Sequence, residues 1–260
     1  MDGVRIEQPL GWRLLVSGAG DPAANMALDA AMLDMAVRGL VGPTVRVYTW
    51  REAAVSVGRF QDVRSTLHTD ALLRRSVPVV RRPTGGRGVL HGGDLTVSVA
   101  ARLDSIRTFG AGVLATHRAL MGAIVRALGR FGVRAEVGSG MHHAAGGDCF
   151  VSSCGADVVA GDGTKLAGGA QRRVQNCLLE QVSIKWCQTV IEPHEVFVGP
   201  GSASAYPLAD IPEEAMVAAV VAGFEETLSA ELERGTLSET EVSETRLRIP
   251  KHIVDLSALM

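Results

Sequence analysis

Residues 79–99 constrain this chain more than any other stretch, reading VVRRPTGGRGVLHGGDLTVSV. Two apolar runs, 77–80 and 95–100, have the length and β-branched content of strands. Between them lie three arginines, five glycines and one histidine, a composition that predicts a loop built to hold something. Gly85, Gly86 and Gly88 let backbone N–H groups turn toward a ligand and approach it closely. Arg81, Arg82 and Arg87 add fork-shaped donors suited to a carboxylate or phosphate. The expected ligand is anionic or strongly polarised.

The chain has 260 residues, enough for one large domain or two small ones, and its 47% hydrophobic and 21% charged content is that of a globular protein. A net charge of −2 gives no support for nucleic-acid binding driven by counterion release. A local basic patch formed by Arg81, Arg82, Arg87, Arg172 and Arg173 could still meet an acidic carrier protein. No apolar run approaches the roughly 20 residues needed to span a bilayer, and no basic segment followed by an apolar core opens the chain. A cytoplasmic protein without membrane contact is expected. Four cysteines without a Cys-x-x-Cys pair predict reduced thiols rather than a disulfide scaffold.

Periodicity predicts an edge strand over 12–17 and a turn over 18–22. A helix from 21 or 24 follows, in which Met26, Leu28, Ala31, Met32, Met35 and Ala36 share a face and Gly39 closes the run. Strands are expected at 45–50 and 54–58, a short helix at 69–75, and a helix over 110–131 that Gly132 ends. Residues 138–148 are too rich in Gly, Ser and Ala to pack as a regular element and predict a mobile approach to Cys149. Residues 157–160 and 166–170 can pair across the Asp162-Gly163 turn, which puts Lys165 at the start of the return strand. A strand at 177–184, an irregular stretch at 188–212, a helix at 212–232 and a short helical or extended tail complete the pattern. With no repeat and no linker, one α+β domain is the simplest division.

Cys149 is the expected nucleophile. A cysteine reacts as its thiolate and needs an accessible position beside a positive group, and Lys165 lies one hairpin away. Cys154, five residues on, is an alternative nucleophile or resolving thiol. Cys177 and Cys187 lie in strand-like runs and are expected in the core. His142 and His143 with Cys149 and Cys154 do not have the spacing of a usual zinc site, so no metal is expected.

The motifs also carry a resemblance. Arg81-Arg-Pro-Thr84-Gly-Gly-Arg-Gly-Val-Leu-His91, followed by Leu95-Thr-x-Ser98, resembles the signature of the biotin/lipoate protein ligase-like family and is most similar to its LipM-type octanoyltransferase branch. Cys149-Phe150 and then Gly163-Thr-Lys165-Leu-Ala-Gly168-Gly-Ala-Gln171 resemble that branch's Cys-Phe and Gly-x-Lys-x-Ala-Gly-Ser-Ala-Gln. Ser56-Val-Gly-Arg59-Phe-Gln61 and the Asn25-Met-Ala-Leu-Asp29 start of the first helix are similar as well. The resemblance covers about residues 25–185. Gly92-Gly93-Asp94 stand where an Asp usually follows the His directly, and Val97 stands for a Tyr. Glu180-Gln-Val-Ser-Ile184 replaces Gln-His-Gly-Ser-Ile, and Gly169 replaces a Ser. These departures bear on pocket shape and acyl preference.

The resemblance implies a class II synthetase-like, biotin-lipoate ligase catalytic domain with mixed sheets flanked by helices. It also implies an acyltransferase that needs no cofactor. Cys149 would take an octanoyl group from octanoyl-acyl carrier protein as a thioester. Lys165 and backbone N–H groups of the loop would stabilise the oxyanion. The acceptor would be the lysine of a lipoyl-accepting domain, such as the glycine cleavage H protein or an E2 subunit. Arg59, Arg82, Thr84, Gly85, Gly86, Arg87, Gly88, His91 and Gly168 would bind substrate. Three other readings stay open: a lipoate or octanoate ligase using ATP and Mg²⁺, an amidotransferase between lipoyl domains, and a non-catalytic acyl-binding protein.

Overall fold

A computed structural model describes residues 11–110, 112–140, 146–153, 155–202 and 206–259, with only the backbone described at 107 and 108. The first half of the chain runs β1 (Trp12–Gly20), α1 (Pro22–Val37), β2 (Thr44–Trp50), β3 (Ala54–Val57), α2 (Thr69–Arg74), β4 (Val79–Arg81), β5 (Val89–His91) and β6 (Asp94–Arg102). Then come α3 (Val113–Gly129), β7 (Ala135–Val137), β8 (Val158–Ala160), β9 (Lys165–Val174) and β10 (Cys177–Lys185). The chain closes with α4 (Pro193–Val196), α5 (Glu213–Leu228), β11 (Leu232–Arg234) and α6 (Glu239–His252). The architecture is α+β.

Eight strands form one mixed sheet in the order β11-β1-β2-β6-β10-β9-β8-β7, and β4-β3-β5 form a second, smaller one. Strand alternation gives the main sheet two chemically different faces. Leu14, Val45, Val47, Val97, Val99, Leu178 and Ile184 point to one side, where they pack with Leu120, Ile124, Met216, Val220 and Phe224 of α3 and α5. The intervening positions carry Arg46, Tyr48 and Trp50 on β2, Thr96 and Ser98 on β6, and Gln181 and Ser183 on β10, all of them buried. Toward the chain's β1 end this second face is apolar again, with Leu15, Ala100 and Leu179 packed against Leu28, Met32 and Ala36 of α1. So the polar side chains are concentrated at one end of one face.

Helix α1 starts where the sequence dictates: Pro22 stands in its first turn and the Asp21 carboxylate accepts from Ala24 N at 3.0 Å. It is buried nearly all round because the sheet lies on one side and α6 on the other. That burial encloses Asn25 and Asp29 with the polar strand positions.

Several expectations change. Strand β1 is not at an edge, because three residues, Leu232–Arg234, pair beside it in parallel. A strand that short is fixed by its partner, not by its own pattern. It also continues through a register shift between Val16 and Gly18 into the predicted turn. The signature segment is not all loop, since β5 pairs antiparallel with β3. Helix α3 starts at Val113, and the irregular 188–212 stretch contains the single turn α4. The tail forms α6, opened by a capping box between Ser238 and Glu241 and packed on α1. The mobile approach predicted at 138–148 falls partly on 141–145, outside the described residues. Among the described residues no helix is long and apolar enough to cross a membrane.

Candidate active site

Cys149 opens a single 3-10 turn, Cys149–Val151, whose preceding residue Asp148 accepts from Phe150 N at 2.8 Å and from Ser202 N at 3.1 Å. Backbone bonds stitch this turn to the signature loop: Gly88 N donates to Gly147 O at 2.9 Å and Cys149 N to Gly88 O at 2.8 Å. The loop therefore positions the thiol, and the thiol side chain is half-buried.

The β8–β9 hairpin forms across residues 161–164 and delivers Lys165 to the same point. Lys165 Nζ lies 3.3 Å from Cys149 Sγ and donates to the carbonyls of Cys149 at 3.0 Å and Ser152 at 3.1 Å. Asp157 Oδ2 completes the cradle at 2.9 Å. With Lys165 only 7% exposed, burial pulls its ammonium toward neutrality. The Cys149 sulfur and the Asp157 carboxylate outweigh burial and hold its pKa above the ordinary lysine value of 10.5. Gly168 makes room for the ammonium, because a Cβ there would lie 2.6 Å from Lys165 Cε and 2.8 Å from Nζ.

Two cavities meet at this pair. Cys149 lines a narrow slot of about 50 Å³ between β2, β9, β10 and the signature loop, with walls from Met26, Trp50, Gly168, Ala170 and Val182. Lys165 lines a second, open cleft of about 320 Å³ bounded by Phe150, Ser152, Thr164, Lys185 and Ser202.

The slot wall contains polar groups, and each named pair is closed on itself. Asp29 accepts from Arg46 Nη1 at 2.7 Å, Tyr48 OH at 2.9 Å and Gln181 Nε2 at 2.6 Å, while Thr84 donates to Gln181 Oε1 at 2.7 Å. Burial and the Asp29 charge push the Tyr48 hydroxyl well above its ordinary range. Across the slot, His91 stacks on Trp50 with ring centres 3.7 Å apart. Its Nδ1 donates to Asp94 at 2.9 Å and its Nε2 pairs with Ser56 Oγ at 2.7 Å. Thr96 and Ser183 also donate to Asp94. Saturated in this way, the wall presents little polar demand to a ligand.

The structure sorts the predicted residues. Arg82, Gly86, His91 and Gly168 line the slot with Cys149. Arg82 does not offer its fork to a ligand: it donates to the carbonyls of Ser56 at 3.1 Å, Gly85 at 3.0 Å and Arg87 at 2.6 Å. Burial pushes its pKa down to about 10, against the opposing pull of Cys149 and Tyr48. Arg81 likewise serves the carbonyls of Gly58, Arg59 and Gln61. Arg87 bonds Ser152 Oγ at 2.6 Å. In place of the anion the sequence predicts, Arg81 and Arg82 satisfy carbonyls that the glycine-rich loop leaves without strand partners. The expected basic patch is correspondingly reduced. Thr84, Gly85 and Gly88 brace the loop from behind the slot, and Arg59 is exposed beside Phe60.

Cys177 is buried on β10, whereas Cys187 lies beyond that strand and is half-buried. Cys154, His142 and His143 lie outside the described residues. Among the described residues no group of His, Cys, Asp and Glu is arranged to hold a metal ion.

Sequence reasoning gives no site role to Asp157, Trp50 or Lys185. A signal existed for one of them: Arg46, Tyr48 and Trp50 alternate with Val45 and Val47, marking a strand whose second face is polar and aromatic.

A known family matches most of the chain. The lipoyl protein ligase A/B catalytic domain matches residues 21–189, and the chain belongs to that family. Within it, the chain is 36% identical to octanoyltransferase LipM of Exiguobacterium sp. over 66% of this chain and 65% of the relative. Against octanoyltransferase LipM of Halalkalibacterium halodurans it is 32% identical, over 90% of this chain and 93% of the relative. The fold is that of a bi-partite lipoate protein ligase from Thermoplasma acidophilum, with a TM-score of 0.74, 22% identity and coverage of 93% of this chain and 92% of the other.

Proposed function

We propose that this chain transfers an octanoyl group from octanoyl-acyl carrier protein, through a thioester on Cys149, to the lysine of a lipoyl-accepting domain. The observation that carries this reading is the 3.3 Å approach of Lys165 Nζ to the Sγ of Cys149, a residue that lines the slot. The relatives' name supplies the octanoyl group. A linear acyl chain suits a narrow slot, where each buried CH₂ contributes about 0.8 kcal/mol.

The steps balance around the ion pair. The Cys149 thiolate attacks the donor carbonyl carbon, the carbon–sulfur bond to the donor breaks, and the departing thiolate takes a proton from the Lys165 ammonium. In the second step the neutral acceptor amine attacks the Cys149 thioester. Cys149 leaves as thiolate, and Lys165 takes the proton lost by nitrogen, which restores the starting pair. Asp157 stabilises the lysine whenever it is charged and fixes its direction throughout. No metal and no ATP enter these steps.

Intact-protein mass spectrometry after mixing with octanoyl-acyl carrier protein, without ATP, tests this for the wild type and Cys149→Ala. A hydroxylamine-sensitive octanoyl adduct on the wild type alone is expected. Acylation of an acceptor domain that needs free octanoate and ATP would replace the transferase reading with a ligase.

A further inference from the structure

The cleft beyond Lys165 has a chemistry that acyl binding does not use. Two lysines line it, and both are nearly buried, with Lys165 7% and Lys185 9% exposed. Ser152, Ser153, Thr164 and Ser202 contribute hydroxyls to the same walls. Lys185 is the last residue of β10, and its ammonium sits over the Phe150 ring at 4.7 Å and near the Tyr206 ring at 5.9 Å. Burial depresses its pKa, the attraction of Asp148 opposes this, and the neighbouring Lys165 adds to the depression. The Lys165 ammonium also lies over the Phe150 ring, at 5.4 Å, so two cations face one ring, and an anion in the cleft would add to the balance that Asp157 and Asp148 give them.

Position defines what that anion belongs to. Cys149 lines the slot and Lys165 lines the cleft, and their Sγ and Nζ atoms are 3.3 Å apart, so with an acyl chain in the slot the cleft is the neighbouring space open to the other half of its thioester. Resting on the thioester reading above, we propose that the cleft binds the donor's thiol arm, an amide chain ending in a phosphate ester, with Lys185 as the phosphate partner and the hydroxyls as partners of the amides. Lysine binds phosphate as a compact point charge, and hydroxyls can donate to or accept from an amide. A carrier protein and coenzyme A both present such an arm, and the donors chosen below separate them.

The test measures kcat/KM for Cys149 acylation from octanoyl-acyl carrier protein, octanoyl-coenzyme A and octanoyl-N-acetylcysteamine, which lacks the phosphate. Lys185→Met should reduce the preference for phosphate-bearing donors over the truncated one about tenfold, the loss expected for one charge-assisted contact. The change should appear in KM, and Lys185→Arg should restore most of it. A fall confined to the carrier protein would assign Lys185 to the carrier's surface and overturn the arm assignment. Equal losses for all three donors would make Lys185 structural, which also overturns it. Direct titration of the wild type with pantetheine 4′-phosphate gives a reading independent of transfer. Saturable binding weakened about tenfold in Lys185→Met keeps the site even if no thioester ever forms, and absence of binding rejects it.

Discussion

The slot and the cleft share a boundary and have opposite characters. In the slot, His91 and Arg82 are buried and bonded internally, and Asp29 and Asp94 behind the wall take up the donors of Tyr48, Gln181, His91, Thr96 and Ser183, so a wall with many polar residues behaves as an apolar one. In the cleft, Lys165 and Lys185 share one open volume with half-buried hydroxyls. Burying polarity does not by itself make a polar site. What counts is whether the buried groups have already spent their hydrogen bonds on one another.

The largest expected effect comes from the boundary itself. Lys165→Met in an Asp157→Asn background, which avoids leaving a lone buried carboxylate, should lower transfer by about 10²- to 10⁴-fold, the usual contribution of a positioned proton donor. Single-turnover acylation of Cys149 measures it. A change below tenfold would mean that the 3.3 Å contact is not part of the chemistry.

Next comes Gly168→Ala, which should lower the same rate by about 10²-fold while leaving the melting temperature nearly unchanged. The new methyl meets the flexible end of Lys165, not backbone, so the lysine moves and the fold stays. Equal losses of rate and of melting temperature would show that this glycine serves folding.

Met26→Ala sharpens the comparison on the slot side alone. It removes wall atoms from a residue that is fully enclosed, and should extend the accepted acyl chain beyond eight carbons by about two, read from kcat/KM across a chain-length series. An unchanged series would place the chain elsewhere. The accompanying stability cost should be about 2 to 5 kcal/mol.

The smallest effect concerns pH. Burial alone would raise the Asp94 pKa, but the His91 charge and the bonds from His91, Ser183 and Thr96 hold it below the ordinary 3.8. With the folded value depressed, its stabilisation is fully present above the unfolded value and is lost as pH falls through the folded one. Urea midpoints taken from about pH 6 down to about pH 3 should therefore fall less steeply for Asp94→Asn than for the wild type. Parallel curves would contradict this.

Much of the boundary was legible in the chain, and much of its setting was not. The hairpin across residues 161–164 has a local turn signal, so Lys165 is placed at the start of β9 by sequence alone. Helix α1 and strand β2 follow from periodicity in the same way. The motif match then pairs Lys165 with Cys149. By contrast, Ser56 and His91 are 35 positions apart and meet only because β5 folds back on β3. A three-residue strand has too little pattern to announce itself. The partners of the arginines are illegible for a related reason: an irregular glycine-rich loop exposes carbonyls, and only the folded loop shows Arg81 and Arg82 bonded to them.

The most direct test of the two-chamber account is a crystal structure of the protein trapped as the octanoyl thioester on Cys149. The account predicts density for the chain running from Sγ past Gly168 and Ala170 toward Trp50, with the Lys165 cradle intact and the cleft free of acyl carbon. Density for the chain in the cleft beside Lys185 would contradict it.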